Sequence, residues 1–89
     1  MRRNPDFLLR NVAGSNVVVP VGRATIDFPG MITLNETGAV LWERLETEQT
    51  VESLTAAITE TYEVTREQAQ ADVLAFLNKL RPTGALIEE

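Results

Sequence analysis

The side chains of this sequence that are capable of chemistry are mostly carboxylates. The 89-residue chain contains 13 Asp and Glu residues but no His and no Cys. Histidine-based triads, thiol nucleophiles and Cys/His metal sites therefore lack the residues they need. No carboxylate lies within an apolar stretch that would shift its pKa, so we interpret the acids as a solvated surface. The sequence predicts no catalytic residue, no metal site, no cofactor and no enzymatic activity of its own.

The charge and the apolar runs exclude further classes of function. A formal net charge of −5 opposes binding to nucleic acid or to an anionic membrane. The longest apolar run, Val17–Val21, is far too short to span a bilayer. Arg2 and Arg3 are not followed by an apolar stretch of signal-peptide length. Because a chain without cysteine suits a reducing compartment, we expect a cytoplasmic location.

The first third of the chain has the pattern of a small antiparallel sheet. Phe7–Val12 and the β-branched run Val17–Val21 predict two strands, with turn residues between them at 13–16. Arg23–Phe28 is expected to extend or twist the second strand. A Pro-Gly turn follows, and Met31–Leu34 predicts a short third strand. The strands together occupy about residues 7–34.

Three helices are predicted after the sheet, at about residues 36–45, 51–62 and 66–81. In each of them apolar residues recur at spacings of three and four, which indicates one buried face. A small sheet is not stable alone in water, so the helices must cover its apolar face. The pattern predicts a single α+β domain over residues 1–89, of the winged helix-turn-helix class. Residues 85–87 are expected to add a last short extended piece.

The ends of the helices also carry local signals. Asn35, Thr50 and Thr65 each precede a predicted helix and suit the N-cap position, where a side-chain oxygen accepts from a free backbone N–H. Gly38 lies near the start of the first helix, where glycine is costly, and this indicates that the sheet approaches closely there. Trp42 is expected in the core, as is Leu34.

One segment carries a family resemblance. Leu34–Trp42, which reads LNETGAVLW, closely resembles the LNxTGxxLW-like signature of the PqqD family (coenzyme PQQ synthesis protein D). The resemblance extends over about residues 17–87, where several short pieces keep the family's order and spacing. These pieces are Thr50-Val51-Glu52, Tyr62-Glu63-Val64, Asp72-Val73, Phe76-Leu77, Leu80 and Gly84-Ala85-Leu86-Ile87.

The resemblance implies a peptide-binding function. PqqD-like proteins are recognition elements, or peptide chaperones, of ribosomal natural-product biosynthesis. They bind the leader of a precursor peptide and present it to a modifying enzyme, often a radical SAM protein. The leader adds as a strand beside the third β-strand, in a groove walled by the third helix. On this chain the resemblance implies a strand made of Met31, Ile32, Thr33 and Leu34 and facing helix residues Ala71, Leu74, Ala75 and Asn78. Those helix residues form a second, mildly apolar face beside the main stripe.

Two other functions are compatible with the same fold. A winged-helix transcriptional regulator would read DNA with its third helix. That helix carries Arg66 and Lys79, but the negative charges of Glu67 and Asp72 offset their positive charge. The net charge of the chain is also negative. A protein–protein interaction module is the other alternative. Asp72 is expected on a solvated helix face, and the alternatives are contact with Arg66 or Lys79 or with a basic residue of the leader. Leu74 is expected in the groove or at the edge of the core.

Overall fold

The fold combines a three-stranded and a two-stranded antiparallel sheet with helices, most of which follow the main sheet along the chain. The computed structural model describes residues 1–88. The main sheet has the strand order β2-β3-β4, and β1 pairs with β5 in a separate two-stranded sheet. This confirms the α+β, winged-helix-like class that the sequence predicts. The elements are β1 (Arg2–Arg3), β2 (Phe7–Val12), β3 (Ser15–Pro20), α1 (Ala24–Asp27), β4 (Ile32–Leu34), α2 (Glu36–Arg44), α3 (Val51–Thr61), α4 (Arg66–Leu80), a 3₁₀ turn (Arg81–Thr83) and β5 (Leu86–Ile87).

A two-residue turn sets the register of the main sheet. Ala13 and Gly14 have φ values of 52° and 84°, and positive φ at both central residues is typical of a type I′ hairpin turn. The residues that flank such a turn, Val12 and Ser15, pair directly. They form a hydrogen-bonded pair, and such pairs then alternate along the ladder with pairs that share no hydrogen bond. This alternation decides which backbone groups remain free at the sheet's edges.

The segment after β3 differs from the prediction. The expectation that Arg23–Phe28 would extend the second strand is wrong, because Ala24–Asp27 forms the short helix α1. Gly22 has a φ of 59°, which turns the chain out of the strand. The backbone N–H of Ala24 and the hydroxyl of Thr25 then donate to the carbonyl oxygens of Val21 and Gly22, respectively. These local bonds favour a helical turn over an extended strand.

The ends of the chain form the second sheet. The predicted extended piece near the C-terminus is confirmed as β5, Leu86–Ile87. Its partner β1, Arg2–Arg3, carries no strand signal in the sequence and owes its conformation to the pairing of Arg2 with Ile87 and of Arg3 with Leu86. In addition, the backbone N–H of Arg3 donates to the Leu45 carbonyl oxygen over 2.9 Å, which fixes β1 against the end of α2.

The helices bury the faces that their periodicity predicts. Trp42 is 1% exposed and Leu34 is 5% exposed, which confirms both as core residues. A Cβ added to Gly38 would lie 3.3 Å from the Leu34 Cβ and 3.2 Å from Asn35 Oδ1. The predicted close approach at Gly38 is therefore real, but side chains rather than another backbone make it. In α4 the buried face recurs at the predicted spacings of three and four and consists of Ala69, Val73, Phe76, Leu77 and Leu80.

The predicted N-caps are confirmed. Asn35 Oδ1 accepts from the backbone N–H of Gly38 over 2.7 Å. Thr50 and Ser53 form a reciprocal capping box. Thr65 accepts from the backbone N–H of Gln68, and the Gln68 side chain donates to Asp72. In residues 1–88 none of the helices combines the length and the apolar character that crossing a membrane requires.

The Asn35 cap makes a measurable contribution to stability. Replacing Asn35 with Ala removes the acceptor at the start of α2, and we expect the free energy of unfolding to fall by about 1 kcal/mol. Urea denaturation followed by circular dichroism measures this loss. Asn35→Asp keeps an acceptor oxygen and should retain most of the stability. Equal losses in the two variants would show that the cap bond is not the cause.

Candidate functional site

Strand β4 has a free edge. It is the outer strand of the main sheet, and its residues Ile32 and Leu34 are paired with Val18 and Asn16 of β3. The alternation that the turn sets leaves the N–H and C=O groups of Asn16 and Val18 facing β4. The pairs that these two residues form with β4 are therefore the hydrogen-bonded ones. Thr33 lies between them and therefore directs its N–H and its C=O away from the sheet. The edge thus offers a backbone donor and a backbone acceptor to an added strand.

A groove lies between this edge and helix α4. Its volume is about 490 Å³. The floor is apolar, since Leu41 is fully buried and Phe76 is 7% exposed. The small residues Gly38 and Ala75 leave space above that floor. The lining consists of Thr33, Leu34, Asn35, Thr37, Gly38, Leu41, Asp72, Ala75, Phe76 and Lys79. We call this cavity the β4 groove.

Polar side chains from α4 form one rim of the β4 groove. The ammonium group of Lys79 donates to the carbonyl oxygen of Thr33 and so connects α4 with the free edge. Asp72 Oδ1 accepts from Gln68 Nε2 over 2.9 Å. Gln68, one helical turn earlier, therefore holds the Asp72 carboxylate, and within residues 1–88 Asp72 forms no ion pair with Arg66 or Lys79. Arg66 instead lies 3.7 Å from a carboxylate oxygen of Glu52.

The four predicted strand residues occupy different environments. Thr33 and Leu34 line the β4 groove. Ile32 is 4% exposed and belongs to the core beneath the sheet. Met31 is 62% exposed and precedes β4, which begins one residue later than predicted.

Only one of the four predicted helix residues lines the β4 groove. Ala75 lines it, whereas Ala71, Leu74 and Asn78 are exposed and lie outside its lining. Leu74 is 40% exposed, so it belongs neither to the lining nor to the core. Asn78 accepts a hydrogen bond from Arg81.

Three helix residues that line the groove were missed by the sequence-based assignment. Asp72, Phe76 and Lys79 join Ala75 at spacings of three and four. This set is the predicted set moved by one residue, which is a rotation of about 100° around the helix axis. Phe76 belongs to the core cluster and also contributes to the lining of the groove. The position of Phe76 at the border of the core is the signal in the sequence for the face that lines the β4 groove.

Metal ligands do not cluster in the part of the chain that the structure describes. Among residues 1–88, no group of three or more His, Cys, Asp or Glu side chains is arranged to hold a metal ion. What the β4 groove offers is an apolar floor, a polar rim and a free strand edge. Such a combination suits an extended peptide, because main-chain bonds supply affinity and the groove selects side chains.

A family model covers both walls of this groove. The model for coenzyme PQQ synthesis protein D (PqqD) matches residues 16–86. The chain belongs to the PqqD family. The match confirms the resemblance drawn from the LNETGAVLW stretch and its downstream pieces. It includes β3 and β4, which build the free edge, and α4, which carries the opposite wall.

Two solved structures share the PqqD-family fold seen here. One is TbiB1 in complex with the TbiA(beta) leader peptide, with a TM-score of 0.77 and 20% sequence identity, covering 100% of this chain and 98% of that one. The other is a lasso peptide synthetase B1 complexed with its leader peptide, with a TM-score of 0.74 and 24% identity, covering 98% of this chain and 96% of that one. No curated protein sequence shows a significant match to the chain.

Proposed function

We propose that this PqqD-family chain binds the leader segment of a ribosomally made precursor peptide and presents it to a separate modifying enzyme. The observation that carries the proposal is the edge of β4 beside the apolar β4 groove, where the N–H of Thr33 points away from the sheet and its C=O is held only by the Lys79 side chain. The two solved proteins of the same fold hold leader peptides, which supports a leader peptide as the occupant.

In the proposed complex the leader lies along β4 as an added strand. Its backbone bonds to Thr33, and every second side chain points into the groove toward Leu41 and Phe76. An added strand that bonds to the Thr33 carbonyl displaces the ammonium group of Lys79 from it. Met31 is exposed beside this path, and its flexible thioether suits contact with variable side chains.

The helix wall of the proposed site consists of the α4 residues that line the groove. Ala75 is shared between this wall and the face implied by the family resemblance. The contacts assigned by resemblance to Ala71, Leu74 and Asn78 remain predictions, and they need a leader that extends around α4. Substitutions at Ala75 and Leu74 therefore distinguish the two faces.

The proposal gives the chain no chemistry of its own. Catalysis and any cofactor belong to the partner, a modifying enzyme such as a radical SAM protein. The absence of His and Cys from the sequence supports this division, since neither a histidine base nor a thiol nucleophile is available. The absence of Cys also suits a reducing compartment, so the proposal includes a cytoplasmic location.

Thr33→Pro tests strand addition directly. Proline removes the N–H that points away from the sheet while leaving the bonds of Ile32 and Leu34 to β3 in place. We expect leader binding to weaken about tenfold, the equivalent of one lost backbone hydrogen bond. The probe is a fluorescent synthetic leader of the cognate precursor peptide, followed by fluorescence anisotropy.

A matched control comes from the opposite edge of the sheet. Asn11 of β2 also directs its N–H away from the sheet, because it alternates with the hydrogen-bonded residues Arg10 and Val12. Asn11→Pro should therefore leave leader binding unchanged. Strand addition at β4 is ruled out if folded Thr33→Pro binds the leader as tightly as the parent chain.

A further inference from the structure

A second groove lies at the opposite edge of the main sheet. Strand β2 is the other outer strand, and its residues Leu9 and Asn11 direct their N–H and C=O groups outward by the same alternation. A cavity of about 540 Å³ adjoins this edge, between β2, β1 and the end of α2. We call it the β2 groove. It shares no lining residue with the β4 groove.

The β2 groove is basic, although the chain as a whole is acidic. Arg2, Arg3 and Arg10 line it, which is three of the chain's eight basic residues at a net charge of −5. Glu46 is the only acidic residue in the lining. Within residues 1–88, neither Arg2 nor Arg10 has a carboxylate oxygen within 4.0 Å. Their positive charge is therefore available to a partner.

Arg3 is held in a fixed position at this groove. Its guanidinium lies 5.7 Å from the centre of the Trp42 ring, within the range of a cation–π contact. Its Nη1 also donates to the Trp42 carbonyl oxygen over 3.0 Å. Two guanidinium nitrogens remain for other acceptors. A guanidinium that is already ordered loses little freedom on binding a carboxylate. Leu8, 40% exposed in the same lining, adds an apolar contact.

We propose that the β2 groove binds an extended, carboxylate-rich segment of a protein partner. The arginines match the carboxylates, and the free edge of β2 accepts the segment as an added strand. Nucleic acid fits less well, because the net charge opposes a phosphate backbone and a strand edge pairs with another peptide backbone. Since β2 and β4 are opposite edges of one sheet, this partner and the occupant of the β4 groove can bind together. The proposal does not depend on the identity of that occupant.

The test uses the full chain and a phage-displayed library of random dodecapeptides. Peptides are selected on the wild-type chain and counter-selected on Arg2→Glu/Arg10→Glu. An enriched peptide is then synthesised, and its affinity is measured by fluorescence anisotropy. The control variant, Arg23→Glu/Arg66→Glu, makes the same change in net charge at exposed arginines outside the β2 groove. Circular dichroism establishes that each variant is folded.

The expected result has three parts. Enriched peptides carry at least two Asp or Glu residues. Arg2→Glu/Arg10→Glu lowers their affinity by a factor of about ten or more, whereas the control variant changes it less than about twofold. Glu46→Gln, which removes the one repulsive charge, strengthens binding about two- to threefold. Amide NMR shifts on binding concentrate at Leu9 and Asn11.

Several outcomes overturn the proposal. One is the selection of peptides without acidic residues. Another is equal weakening by the two double variants, which would indicate bulk charge alone. NMR shifts confined to Thr33 would place the peptides in the β4 groove. Tighter binding of single-stranded DNA of the same length would make the surface a nucleic-acid site, and a dimer abolished by Arg2→Glu/Arg10→Glu would make it a self-association surface.

Discussion

Ala75→Glu is expected to weaken leader binding about 100-fold, because the new carboxylate would lie in the apolar part of the β4 groove without a partner. Ala75 is exposed in the free chain, so the substitution leaves the core intact. Leu74→Glu introduces the same group one residue earlier on α4. The side chain at position 74 points about 100° away from that at position 75 around the helix axis. We therefore expect Leu74→Glu to change the affinity for the leader less than about threefold.

The measurement is fluorescence anisotropy with the same synthetic leader. Leu74→Glu is the matched control, since both variants add one negative charge to an exposed position of α4. Their urea midpoints should agree with each other. A larger loss of affinity at Leu74 than at Ala75 would favour the face implied by the family resemblance. No loss at either position would move the leader off helix α4.

Local signals explain why the helices were predictable. The side chains of Asn35, Thr50 and Thr65 and the apolar spacing in α4 act within one or two helical turns, so a single sequence displays them directly. The same holds for the hairpin, whose turn needs only two adjacent residues. The helix α1 was missed because Ala24–Asp27 is too short to show a period.

Long-range contacts explain what the sequence did not predict. Strand β1 exists because Arg2 and Arg3 meet β5 more than eighty residues later, and nothing in the residues themselves favours that pairing. The face of α4 that lines the β4 groove was not predicted for a related reason. Helical period shows which residues point the same way, but not which of those faces meets the free edge of β4. The bond from Lys79 to Thr33 settles this for α4.

The two free edges of the main sheet require protection from pairing with other chains. Exposed edges are prone to aggregation, and charged side chains along them discourage it. At β4 the ammonium group of Lys79 covers the carbonyl oxygen of Thr33. At β2 the side chains of Arg2, Arg3 and Arg10 line the groove that adjoins the edge. Both edges are therefore covered by positive charges that an incoming strand with suitable acidic residues could exploit.

Trp42→Ala is expected to lower the free energy of unfolding by about 3–5 kcal/mol, the usual cost of removing a large aromatic side chain from a core. Trp42 is 1% exposed and belongs to the same buried cluster as Leu54 and Leu80. Its ring also supports the guanidinium of Arg3. A loss of that size is a large part of the roughly 5–15 kcal/mol that stabilises a typical domain.

Urea denaturation followed by far-UV circular dichroism measures the effect, since Trp42 is the only tryptophan and its fluorescence disappears in the variant. Ile26→Ala is the control, because Ile26 is 80% exposed and its truncation should change stability by no more than about 0.5 kcal/mol. A loss below about 1 kcal/mol for Trp42→Ala would mean that the ring is not packed as the structure shows. If the loss is large, the end of α2 and the floor of the β4 groove depend on this packing, since Trp42 adjoins the groove residue Leu41 in α2.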